Sequence, residues 1–266
     1  MHISLKNKII VITGAAGFLG QNFTKKIIES GGVPILIDNN KSNLTKFVNK
    51  IKNQYNFKAK SYCIDITKEK KIKETSINIL KIYKKIDALI NNAANNPVMK
   101  SNNLKTRLEK YDLNAWNDDI AVSLTGSFLC SKYFGNLINK NKNGGVIINI
   151  SSDLGLIAPN QELYKAKKHT NSVKPVSYSV TKHGIIGLTR YLSTYWPTKV
   201  RSNAICPAGI YNNHDNVFVN RISKLIPMKR MANVEEVSNL LIYLLSSSST
   251  YINGAIIPID GGRTAW

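Results

Sequence analysis

Tyr178 and Lys182 stand four positions apart in Tyr178-Ser179-Val180-Thr181-Lys182. On a helix they share one face, one turn apart. A phenol beside an ammonium is an acid–base pair. A free tyrosine titrates near pH ~10 and is a poor base at neutral pH, but a nearby cation favours the phenolate and lowers that pKa. Such a tyrosine can give a proton to a carbonyl oxygen or take one from an alcohol. The pair alone is also a common surface motif, so its meaning depends on what the chain places around it. Ser151-Ser152 comes 26 positions before Tyr178, counted from Ser152.

A second group of residues is suited to a phosphate. Thr13-Gly14-Ala15-Ala16-Gly17-Phe18-Leu19-Gly20 separates an apolar run from a segment of helical period. Gly14 permits a tight turn, Gly17 lets backbone approach a pyrophosphate, and Gly20 lets a helix pack closely on a strand. The helix start then offers unpaired N–H groups to an anion. Asp38 ends the next apolar run, where a carboxylate can bond both ribose hydroxyls and repel a 2′-phosphate. That favours NAD over NADP, although Lys41 follows closely, and a turn or helix cap is the other reading of Asp38. Asp65 reads equally as a partner for an adenine amine or as the N-cap of a helix over 68–85.

Elements that could position these groups alternate along the chain. Apolar runs at 8–13, 33–38, 58–64, 86–91, 145–151, 200–206 and 255–259 read as strands, with helical patterns between them. Leu19, Phe23 and Ile27 fall at i, i+4 and i+8 and form one stripe. The expected fold is α/β: a Rossmann-type doubly wound parallel sheet of about seven strands with helices on both faces. With no internal repeat and no linker, residues 1–266 read as one NAD(P)-binding domain. Helices over 114–139 and 176–196 are long and apolar along one face.

Composition excludes several classes. No apolar run reaches the ~18 residues of a membrane helix, and 9–12 is too short for a signal peptide. Cys63, Cys130 and Cys206 form no CxxC pair, so neither a disulfide framework nor a metal site is expected, and a cytoplasmic location fits. The formal charge is +21. The lysines are scattered and no nucleic-acid motif appears, so they read as solvated faces that attract anions rather than as a nucleic-acid surface.

Taken in order, the Gly-rich turn, Asn91-Asn92-Ala93-Ala94, Ser151-Ser152, the Tyr178/Lys182 pair and Asp260-Gly261-Gly262 resemble the short-chain dehydrogenase/reductase family, compact single-domain type. The resemblance runs from Lys8 nearly to the C-terminus. It implies catalytic roles for Ser152, Tyr178 and Lys182, with Ser151 as the adjacent alternative to Ser152. It further implies that Lys182 binds the nicotinamide ribose, and that the cofactor meets Gly14, Ala16, Gly17, Phe18, Leu19, Gly20, Asp38, Asp65, Ile66, Asn92, Ala93, Ala94, Tyr178, Lys182, Pro207, Ala208 and Ile210. A homo-oligomer, dimer or tetramer, paired through the two long helices is also implied.

Three positions depart from the family pattern. The glycines are spaced GxxGxxG, commoner in the extended branch that includes nucleotide-sugar epimerases and dehydratases. Ser123 stands where an Asn usually helps the proton relay, and Ala208 replaces a Gly after Pro207. Only 84 residues follow Lys182, too few for a separate substrate lobe.

The stretch between Ser152 and Tyr178 is longer than usual and carries Tyr164, Lys165, Lys167, Lys168, His169 and Lys174. Lys165 and Lys168 are candidate substrate contacts, and a basic flap there points to an anionic, sugar-like small molecule. The form of this loop and of the C-terminus looks more loosely like a branch associated with flagellin modification and nonulosonic-acid sugar synthesis. Two other readings remain: an epimerase or dehydratase with retained NAD, and a non-catalytic NAD-binding scaffold.

Overall fold

The computed structural model describes residues 3–95, 104–164 and 172–266. Seven parallel strands form one sheet in the order β3-β2-β1-β4-β5-β6-β7. They are β1 (Ile9–Thr13), β2 (Val33–Asp38), β3 (Lys60–Cys63), β4 (Ala88–Asn91), β5 (Gly145–Ile150), β6 (Val200–Pro207) and β7 (Ile256–Ile259). Each lies within or close to an expected strand. The strand order reverses between β1 and β4, and the crevice that opens there, at the carboxyl ends of the strands, is where such sheets bind ligands.

The strands are apolar on both faces because both faces are covered. Successive side chains alternate across a strand. Ile10 and Ile12 of β1 enter one core with Phe23 and Ile27 of α1 (Phe18–Glu29), Phe47 of α2 (Lys41–Tyr55) and Leu241 of α9 (Val234–Leu245). Ile9 and Val11 enter the opposite core with Ile72 and Ile79 of α3 (Glu69–Tyr83), Phe134, and Leu192 of α7 (Val176–Tyr195). The expected α1 stripe is present: Phe23 and Ile27 are fully buried and Leu19 packs against them.

The helical run expected over 114–139 is interrupted. It consists of α4 (Leu113–Ile120), α5 (Gly126–Cys130) and α6 (Asn136–Asn139), joined by π turns at Ala121–Thr125 and Ser131–Gly135. The second π turn carries Ser131, which belongs to a buried polar ladder. Asn91 Nδ2 donates to Ser131 Oγ (3.0 Å) and to Asn149 Oδ1 (2.8 Å), and Asn149 Nδ2 donates to Thr189 Oγ1 (3.0 Å). The ladder ties β4 and β5 to the helices on one face, directly below the strand ends that carry the candidate site. Buried amide donors of this kind persist because their acceptors are present. Among the described residues, no helix is long and apolar enough to cross a membrane.

Candidate active site

The Gly-rich turn is closed by neighbouring backbone. Gly14 has φ +62°, and a Cβ there would lie 2.8 Å from Ala93 Cα. A Cβ on Gly20 would lie 2.2 Å from Gly14 O. Asn92 braces the turn from β4: its Nδ2 donates to Thr13 O (3.0 Å) and Gly14 O (3.1 Å). The Asn92 and Ala93 N–H groups both donate to Thr13 Oγ1 (3.1 Å each). Gly17 is the N-cap of α1 and no side chain caps that end. The N–H groups of the first turn, from Phe18 and Leu19 onward, are therefore free of side-chain caps, as an anion site requires.

Asp38 stands beside this turn. Its Oδ2 accepts from Ala16 N (2.9 Å) and its Oδ1 from Asn40 N (2.9 Å). Each carboxylate oxygen keeps a lone pair for a further donor. The cap of α2 is Asn40, which accepts from Asn43 N, so Asp38 is a turn residue and not the helix cap. Asp65 Oδ1 accepts from Thr67 N (2.8 Å), while Lys68 occupies the N-cap of α3. The cap reading of Asp65 is thereby corrected. The Ile66 side chain is buried against Gly126, and Ala94 is half-buried at the end of the Asn92–Ala94 segment. These features fit a dinucleotide: an open anion cradle at the switch point with a carboxylate at the next strand end.

Across the crevice, Tyr178 and Lys182 share one face of α7. Lys182 Nζ lies 5.7 Å from the Tyr178 ring centroid and donates to Ile150 O (2.9 Å). The lysine is buried, and burial pushes its ammonium down to about 8. The expected lowering of the tyrosine pKa is corrected: burial raises the Tyr178 phenol, and a hydrogen bond with Ser152 opposes that rise only in part. The phenol is therefore held protonated at neutral pH.

The two serines separate cleanly. Ser151 Oγ donates to Lys182 O (2.8 Å) and so belongs to the packing of α7 on β5. Ser152 is the one within hydrogen-bonding reach of Tyr178. Its Oγ accepts from Leu154 N (3.1 Å) and donates to Asp153 Oδ1 (2.7 Å).

Other expected residues take their places around this centre. Ser123 is buried in the first π turn, and its backbone carbonyl accepts from Ser127 Oγ (2.7 Å). Pro207 ends β6, Ala208 N donates to Ile259 O (3.2 Å), and Ile210 bridges to Ala232. Lys165 and Lys168, with Lys167 and His169, lie outside the described residues. Tyr164 and Lys174, at the two ends of that stretch, are described. Tyr164 packs against Phe218 of α8 (Asn216–Lys224) with ring centroids 6.3 Å apart. Lys174 Nζ lies 3.6 Å from the Tyr178 ring centroid, and burial pushes that ammonium down to about 8. A cleft of about 570 Å³ lined by Tyr211, Lys224, Lys229 and Arg230 lies elsewhere, and neither Ser152, Tyr178 nor Lys182 lines it.

Sequence reasoning missed Asp153 and Arg263, whose side chains are 4% and 6% exposed and paired at 3.0 Å. The only hint was an acidic residue directly after Ser152.

Comparisons with known proteins agree with this geometry. A family model described as enoyl-(acyl carrier protein) reductase matches residues 14–264. The chain is 30% identical over 261 residues to post-translational flagellin modification protein A of Campylobacter coli, covering 97% of this chain and 98% of that one. It is 29% identical to an NAD-dependent glycerol dehydrogenase of Listeria innocua, covering 98% and 95%. Among solved structures, a short-chain dehydrogenase of Leptospira borgpetersenii with bound NAD+ superimposes with a TM-score of 0.83 at 28% identity, covering 98% and 94%. The chain belongs to the short-chain dehydrogenase/reductase family. It is an NAD(P)-dependent oxidoreductase.

Proposed function

We propose that this chain, read as one domain over 1–266, uses NAD to interconvert an alcohol and a ketone on a small, sugar-like, anionic substrate. Tyr178 is the general acid/base. The observation that carries this reading is the meeting of Ser152, Tyr178 and Lys182 at the strand ends beside the Gly-rich turn. When bound, the nicotinamide supplies or accepts the hydride. Tyr178 gives its phenolic proton to the carbonyl oxygen in reduction and receives one from the alcohol in oxidation. Ser152 fixes the substrate oxygen beside Tyr178. Lys182 places a positive charge near the phenol and a donor near the cofactor ribose. Ser123, standing where the family usually has an Asn, is assigned to the proton relay.

Asp38 supports NAD, because its carboxylate at the end of β2 would repel a 2′-phosphate. The Gly-rich turn, Asn92–Ala94, Asp65, Ile66 and the Pro207–Ile210 turn complete the cofactor site in this reading. Lys174 supports an anionic substrate by setting a cation against Tyr178, and Lys165 and Lys168 are assigned to the same task. Similarity to the flagellin modification protein is consistent with a sugar derivative. Exposed Phe128, Val180 and Tyr191 on α5 and α7 support a homo-oligomer, dimer or tetramer. Three free cysteines fit a cytoplasmic enzyme.

The test is an NADH-absorbance screen of the purified protein against phosphorylated and nucleotide-linked sugars, with both NAD and NADP. Turnover of one such substrate with NAD is expected. Replacing Lys165 and Lys168 by Ala is expected to raise KM for it. Tightly retained cofactor without net NADH turnover would instead favour an epimerase or dehydratase, which the GxxGxxG spacing suits.

A further inference from the structure

The C-terminal turn reaches into the acid–base site. β7 ends at Ile259, and the next residue folds the chain back. Asp260 accepts from Gly262 N (2.9 Å), Thr264 N (2.8 Å) and Thr264 Oγ1 (2.6 Å). This turn carries the Arg263 guanidinium into the interior, where Nη1 lies 3.0 Å from Asp153 Oδ2. A buried ion pair is a weak contributor to stability, because both charges lose their hydration. Its position is the informative feature: Asp153 directly follows Ser152, and its second oxygen is occupied by the serine.

The hydrogen bonds around Ser152 assign its single proton. Asp153 lies against Arg263, which favours its ionised form, and an ionised carboxylate can only accept. The 2.7 Å contact is therefore Ser152 Oγ donating to Asp153 Oδ1. Leu154 N donates to both Ser152 Oγ and Asp153 Oδ1, at 3.1 and 2.8 Å, and so locks the two side chains together. In the resting site the Ser152 proton is thus held by Asp153.

We propose that Asp153 and Arg263 are positioning residues for the reaction: the Arg263–Asp153 ion pair fixes the carboxylate that takes the Ser152 proton in the resting site, and so sets the direction of the Ser152 hydroxyl. This rests on the reading of Tyr178 as the acid/base. The Asp153 charge opposes a phenolate at Tyr178, and a Ser152 proton held by Asp153 is withheld from it. Burial disfavours the Asp153 carboxylate and Arg263 opposes that effect, consistent with the arginine's place in the ion pair. A residue near the C-terminus thereby bears on a proton-transfer step more than eighty positions upstream.

The prediction needs no substrate. In full-length protein labelled with ¹³Cζ-tyrosine, the Tyr178 resonance is assigned by its loss in Tyr178→Phe and followed from pH 6 to 11. Asp153→Asn removes the charge and frees the Ser152 proton for the phenolate. It is expected to lower the Tyr178 midpoint by about one pH unit or to bring it into range. Arg263→Lys keeps the cation and is expected to titrate like the wild type. If Asp153→Asn does not fold, Asp153→Asn with Arg263→Gln removes both charges, strands neither, and should move Tyr178 in the same direction. A Tyr178 resonance that behaves alike in the wild type and in the neutralised variant overturns the proposal, as does an Arg263→Lys protein that matches the neutralised one. Failure of the acid–base reading shows separately, as undiminished turnover in Tyr178→Phe.

Discussion

The Lys174 ammonium lies 3.6 Å from the centroid of the Tyr178 ring, on the side opposite in sequence to Lys182. Two lysines thus flank one tyrosine, and only Lys182 was foreseen as its partner. A cation against an aromatic face is favourable, and in the proposed function the same charge would draw an anionic group to the mouth of the site. Lys174→Met is expected to raise KM for a phosphorylated or carboxylated substrate about tenfold, equivalent to ~1.4 kcal/mol. Turnover at saturation should change little. An unchanged KM in steady-state assays would remove Lys174 from substrate binding.

The same two lysines set a pH dependence. Both ammoniums sit near 8 against an ordinary value of 10.5, chiefly through burial, and they repel each other. The pair therefore titrates as a unit. Between pH 8 and 10.5 the unfolded chain binds more protons than the folded one, so stability should rise with pH across that window. Below 8 both states are protonated and the cost of the buried charges is fully present. Denaturant midpoints should climb from pH 8 to 10 in the wild type, and less so in Lys174→Met. Activity should move the opposite way, with kcat/KM for an anionic substrate falling above about pH 8 as the charges are lost. A flat alkaline limb would contradict this assignment.

Gly14→Ala should damage both fold and cofactor binding. The residue has φ +62° and its Cβ would meet Ala93 Cα at 2.8 Å. A left-handed conformation for a non-glycine residue costs on the order of 1–3 kcal/mol before the clash is counted. A lower urea midpoint and an NADH affinity reduced at least tenfold are expected by fluorescence titration. Binding at wild-type affinity would show that the turn does not hold the cofactor.

Asp38→Asn tests cofactor choice. The amide keeps the size of the side chain but loses the charge and one acceptor oxygen, which also weakens the grip on Ala16 N. NADH affinity should fall about tenfold while NADPH affinity holds or rises, a change in ratio of at least ~1.4 kcal/mol. Equal losses for both cofactors would make Asp38 a purely structural turn residue.

How much of this was legible in the sequence depends on the range of the interactions involved. The strands were legible because both faces of the sheet are covered, so Ile9–Ile12 and Val146–Ile150 read as near-continuous apolar runs. β3 is shorter than its run because it is the sheet edge and half exposed. The Tyr178–Lys182 pairing was legible because helix geometry decides it locally. The resemblance points to Ser152 over Ser151, but the physical reason, that the Ser151 hydroxyl meets the Lys182 carbonyl across the β5–α7 packing, is not legible locally. The two π turns also left no local mark: residues 113–139 contain no proline, and their period stays helical. The Asp153–Arg263 pair joins residues more than a hundred positions apart, so neither charge announces its burial or its partner.

The account stands on Tyr178 as the group that moves the proton. Steady-state turnover and NADH binding of Tyr178→Phe, measured side by side on the substrate found by the screen, test it most directly. Losing a positioned general acid is expected to cut kcat by about 10²–10⁴-fold, with the NADH dissociation constant within twofold of wild type. Turnover at the wild-type rate with intact NADH binding would contradict the mechanism.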